Sequence, residues 1–124
     1  MERLMNHVEV ICRDNNILMS RHNGTTSRAF RNYKGTGRNK ISVKRINTYL
    51  TYAVAMHELG HLLGPYQRSH DILERETGAW MWAKDNAIVW MPCMTKGMIF
   101  RLGTYLKAHG KPNEQHIIWT LVPR

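Results

Sequence analysis

Negative charge is scarce in this chain. Nine Asp and Glu stand against eighteen Lys and Arg, for a formal net charge of +9. Residues 21 to 45 contain no Asp or Glu, yet they hold Arg21, Arg28, Arg31, Lys34, Arg38, Lys40, Lys44 and Arg45. Those cations nearly account for the whole excess, so nucleic acid or an acidic protein is one expectation for the segment and a solvated loop the other. Cysteine is almost missing. Cys12 and Cys93 are too few and too far apart to form a metal pair, and read as small buried or half-buried hydrophobes in a reducing compartment. No apolar run reaches the roughly 18 residues that a membrane span needs. Met1-Glu2-Arg3-Leu4 lacks the charged-then-apolar layout of a secretion signal. A cytoplasmic protein with no membrane partner is therefore expected. Internal repeats and linkers are also lacking, and 124 residues with 43% apolar content suit one domain, residues 1–120. Leu121-Val122-Pro123-Arg124 matches the thrombin recognition sequence up to its cut site and is set aside as an appended remnant.

What the chain does have is His57-Glu58-Leu59-Gly60-His61. On a helix, residues i and i+4 lie on one face, so both imidazoles can address one metal ion. Glu58 lies one step round and is left free to take a proton from a metal-activated water. Zinc is the usual ion for such a site. The flanks read as helix: Asn47 is a good N-cap, Thr48 to Leu63 follow, Gly64 supplies the C′ residue and Pro65 ends the run. Leu50, Val54, His57 and His61 keep helical spacing on an inward-facing stripe.

Before the motif, Val8, Val10 and Cys12 alternate, which reads as a strand. Asp14-Asn15-Asn16 reads as a turn and Ile17-Leu18-Met19 as the return strand of a hairpin. His22 to Lys40 reads as a long loop in which Phe30 and Tyr33 lie among arginines, an arrangement compatible with base stacking. Lys40 to Ile46 alternates and reads as a strand leading into the motif helix, with an edge that can receive an extended peptide. After the motif, Ser69 is the expected cap of a second helix over about residues 71–90. Its inner face carries Ile72, Glu76, Ala79, Trp80, Ala83 and Ala87. A third helix is expected from about Lys96 to His109, capped by Thr95 and ended by Gly110. The fold class is α+β, with a small antiparallel sheet of two or three strands on an active-site helix, a ligand-bearing helix and a C-terminal helix.

The third ligand has four candidates. The His-x-x-Gly-x-x-His continuation of metzincins fails, because Gln67 stands at its last position. Glu76 is the leading choice, since a carboxylate on an apolar stripe is costly unless paired or metal-bound. His70, Asp71 and Glu74 are the alternatives.

The motif followed by Glu76, Ala79, Trp82 and Ala83 resembles the ImmA/IrrE-type zinc metallopeptidases of bacteria, phages and mobile elements, over residues 40 to 90. The resemblance implies a minimal gluzincin-like fold. It also implies cleavage of a specific protein, often a DNA-binding repressor, with His57, His61 and Glu76 on zinc and Glu58 as general base. Tyr66 and His70 are candidates for a second oxyanion donor by proximity in sequence. The alternative is a nucleic-acid- or acidic-partner-binding module on the same scaffold.

Overall fold

The computed structural model describes residues 1–124. Its first element corrects the sequence reading: Glu2–Asp14 form a helix, α1, where a strand was expected. The alternation of Val8, Val10 and Cys12 is half of a helical stripe. Leu4, Val8 and Cys12 are buried at i, i+4, i+8, while Val10 is 39% exposed. The turn at residues 15–16 then leads to Leu18–His22, strand β1. The expected loop from residue 22 to 40 contains a short strand, β2 (Arg28–Phe30), and a 3-10 turn at Tyr33–Gly35. Lys40–Lys44 form β3.

The sheet is mixed rather than antiparallel, in the order β1-β3-β2. β3 runs parallel to β1 and antiparallel to β2. It is the central strand because Ile41 and Val43 are fully buried, and a strand buried on one face gains most with partners on both sides. The edge expected of β3 therefore belongs to β2.

Tyr49–Leu63 form α2, the motif helix. Its cap is Thr48 rather than Asn47: Thr48 Oγ1 accepts from Thr51 N at 3.0 Å, and Thr51 Oγ1 accepts from Thr48 N at 2.9 Å. Tyr52, Met56 and Leu59 drive into the core. The Leu50, Val54, His57, His61 stripe instead lies at the wall of a cleft, with Leu50, Val54 and His61 only half-buried. Ile72–Asn86 form α3, shorter at both ends than expected and capped by Asp71, whose Oδ1 accepts from Leu73 N at 2.9 Å. Pro92–His109 form α4. Pro92 sits in the first turn, where its missing N–H and fixed φ suit a helix start. Thr95, the expected cap, instead accepts a hydrogen bond from Trp90 Nε1 at 2.8 Å.

One core joins these layers, with Trp80, Tyr52, Met94, Met98 and Leu102 fully buried between the helices. Tyr52 ties three segments together. Its hydroxyl accepts from Ile88 N at 3.1 Å and lies 2.7 Å from His7 Nδ1, to which it donates. The C-terminal segment closes over α3 through Ile118, and Val122 of the set-aside end is 7% exposed against the core. Cys12 is buried as expected; Cys93 is exposed, contrary to its reading as a packed hydrophobe. No helix is long and apolar enough to cross a membrane.

The closest backbone approach is between α2 and α3. A Cβ on Gly60 would overlap the carbonyl and Cα of Ala79, and one on Gly64 would lie 2.9 Å from Trp82 Cβ. Gly64 has φ −88°, so its role at the end of α2 is close packing and not a left-handed turn. This proximity brings α3 within a carboxylate's reach of the motif.

Candidate metal centre

Three side chains meet across the α2–α3 contact. Glu76 Oε1 lies 3.2 Å from His57 Nε2, Glu76 Oε2 lies 2.8 Å from His61 Nε2, and the two imidazole nitrogens are 3.2 Å apart. Two nitrogens each about 2.0–2.1 Å from one tetrahedral ion stand about 3.3 Å apart. The spacing therefore matches a zinc site, and Glu76 is the third member. The other candidates lie elsewhere. His70 is exposed in a separate hollow with Tyr66, so neither is positioned as an oxyanion donor. Asp71 and Glu74 gather with His116. There, His116 Nδ1 accepts from Ile118 N at 3.0 Å, so its Nε2 carries the proton that Asp71 Oδ2 accepts at 2.7 Å. That imidazole has no lone pair left for a metal, and the pair staples the C-terminal segment to the start of α3.

Each ring is oriented differently. Gln67 Nε2 donates to Pro65 O at 3.0 Å and to Arg75 O at 2.7 Å, which fixes the amide so that Oε1 faces His61 Nδ1 at 2.9 Å. Oε1 can only accept, so His61 Nδ1 carries a hydrogen. His61 Nε2 then has two states: protonated against Glu76, or bearing a lone pair toward a cation. An amide holding the far nitrogen of a ligating imidazole is the usual support of such a site. Replacing Gln67 with leucine is expected to weaken zinc affinity by about 10- to 100-fold, measured by competition with a chromogenic chelator; unchanged affinity would contradict this role. His57 has no such partner, and its Nδ1 is buried without a hydrogen bond. Its ring is instead stacked on Trp80, with centroids 4.3 Å apart and planes 21° from parallel.

The electrostatics follow from burial and these contacts. Burial works to raise Glu76, but hydrogen bonds from His57 and His61 outweigh it and bring its carboxyl down to about 2. Burial lowers His57, whereas in His61 the Glu76 carboxylate outweighs burial and raises the imidazole. The positive charge of the metal-free centre thus sits on His61, facing Glu76. Glu58 is pushed up to about 7, chiefly by burial, and its Oε2 is buried with no hydrogen-bond partner. An orphaned buried carboxylate oxygen is costly in a purely structural role. It is explained by a polar reactant in front of it, and a pKa near neutrality suits a general base. The donor set, the spacing and the orphaned oxygen all fit a zinc centre.

Glu58, His57, His61 and Glu76 line a cleft of about 310 Å³, closed on its far side by α4. From α4 come Arg101, Thr104 and Tyr105, none of them flagged by the sequence. Tyr105 was legible only as packing. Burial first, then the Glu76 and Glu58 carboxylates, push its hydroxyl up, so it faces the centre as a neutral donor. The basic segment does not converge on one surface. Arg21 pairs with Glu9 at 3.8 Å, and Arg38 Nε donates to Asn16 O at 3.4 Å. Lys34 and Lys40 sit over the Tyr33 ring at 5.3 and 4.2 Å, and Phe30 packs edge-on against it at 5.4 Å. The aromatic pair is thus engaged within the chain rather than open for base stacking. Comparison of the chain with protein-family models, curated proteins and solved structures finds no match.

Proposed function

We propose that this protein is a zinc-dependent peptidase of the ImmA/IrrE type that hydrolyses a peptide bond in a specific protein, such as a DNA-binding regulator. The observation that carries this reading is the convergence of His57, His61 and Glu76 beside a buried Glu58 whose Oε2 has no partner. When bound, zinc supplies a Lewis acid that polarises the scissile carbonyl and makes water acidic enough to be deprotonated near neutral pH. Glu58 accepts a proton from the attacking water and returns it to the leaving amine. Tyr105 faces the cleft and can donate a hydrogen bond to the oxyanion. Gln67 holds His61 and Trp80 holds His57, so the ligands need little reorganisation. The free edge of β2 borders the cleft and suits an extended backbone.

The test is cleavage of an unbiased peptide mixture by zinc-loaded protein. Chelation should stop it and zinc should restore it. A fully loaded protein that cleaves nothing would contradict the reading. The rival, a binding module for nucleic acid or an acidic partner on the same scaffold, draws on the cations of residues 21–45. Its signature would be salt-dependent binding without turnover.

A further inference from the structure

The cleft has a second lobe. A hollow of about 510 Å³ shares Ser27, Glu58 and His61 with the first and extends past the metal centre on the side away from α4. Its walls carry Arg28 and Arg31 from β2 and its exit, and Arg75 from α3. The sequence grouped the first two with the basic segment, but the fold alone brings Arg75 beside them. None of the three forms an ion pair, and Glu58 is the one carboxylate in this lobe. Arg31 donates to His61 O at 2.8 Å and Arg75 to Ser69 O at 2.7 Å. Those bonds fix two guanidinium groups without neutralising them, leaving oriented donors directed at a missing anion.

The shape of the wall points to a peptide. Ser27, Arg28, Ala29, Phe30 and Arg31 all line the lobe in succession. A strand seen face-on contributes every second residue, so the lobe meets β2 along its edge. β2 pairs with β3 on one side and with nothing on the other. Unpaired strand amides and carbonyls match an extended peptide backbone, whereas a nucleic acid has no complementary use for them. The aromatic that would serve base stacking, Tyr33, is covered by Lys40.

Taking the peptidase reading of the centre as its basis, we propose that the cleft selects a peptide segment with acidic side chains on the side of the scissile bond that lies in this lobe. The substrate carboxylates sit against Arg28, Arg31 and Arg75 while its backbone runs along β2. The proposal is tested by fluorescence anisotropy on zinc-loaded protein carrying Glu58→Gln, which binds without turning over. The probes are labelled peptides identical except for Glu, Gln or Lys at the positions flanking the bond. The Glu peptide should bind about tenfold more tightly than the Gln peptide, the size expected of a few partly exposed ion pairs acting together. Raised salt should shrink the preference. Arg28 makes no side-chain hydrogen bond within the chain, so Arg28→Glu should fold and should shift the preference toward Lys. Arg75→Lys, which keeps the charge, should retain the preference for Glu. Equal affinity for the three peptides, or a preference untouched by Arg28→Glu, would overturn the proposal. So would a short single-stranded oligonucleotide that displaces the Glu peptide at concentrations below those of unlabelled peptide. Cleavage by the wild type is scored separately. Cleavage without charge selection overturns the acidic-segment proposal alone, and charge-selective binding without any cleavage supports it while overturning turnover.

Discussion

Replacing Glu58 with glutamine is expected to lower peptide cleavage by about 10³-fold while leaving zinc content unchanged. The change is nearly isosteric, so the packing around residue 58 survives. What is lost is a carboxylate that burial raises to about 7 and whose Oε2 has no hydrogen-bond partner. An amide cannot take a proton from water at that position. Because Glu58 is not among the three groups whose ligand atoms converge, zinc binding should persist. The paired measurement is steady-state cleavage together with metal analysis of the same samples. Loss of both would mean that Glu58 holds the metal. Loss of neither would mean that the base lies elsewhere.

The second large effect concerns a residue with no chemistry of its own. Gly60→Ala should destabilise the fold by about 1–3 kcal/mol and weaken zinc binding in the same variant. The added methyl would meet the carbonyl and Cα of Ala79, which are backbone and cannot rotate aside. α3 must move away from α2, and Glu76 is the side chain that moves with it. Helix propensity works in the opposite direction, since alanine is favoured over glycine within a helix by about 1 kcal/mol. Gly103→Ala in α4 provides the control, because nothing lies within 4 Å of its added Cβ. It should be neutral or stabilising with zinc affinity intact. Chemical denaturation of both variants, read beside zinc titration, separates overpacking from propensity.

These two residues also show how far the sequence can be read. The motif helix, the burial of Glu76 on α3 and the α+β class were legible because each rests on periodicity or on the cost of a buried charge. The strand assigned to residues 7–12 failed because Val8 and Cys12 satisfy periods of both 2 and 4, and only the exposure of Val10 decides between them. The parallel pairing of β1 with β3 was not legible, since it depends on β2 stepping past the strand that follows it. Gln67 was weighed only as a failed ligand. Its role needs Pro65 O and Arg75 O in position to fix the amide, and the latter comes from a different helix. Arg75, Arg101 and Tyr105 are ordinary helix residues in the sequence, and they join the cleft only through the packing of α3 and α4 on α2.

The account stands on one ion held by His57, His61 and Glu76, and a calorimetric zinc titration of the wild type and of Glu76→Gln tests it most directly. One ion per chain should bind the wild type, with an X-ray absorption edge showing nitrogen and oxygen ligands and no sulfur. Glu76→Gln should bind at least about tenfold more weakly. Substoichiometric zinc in the wild type, a sulfur ligand from Cys12 or Cys93, or an affinity indifferent to Glu76 would contradict it.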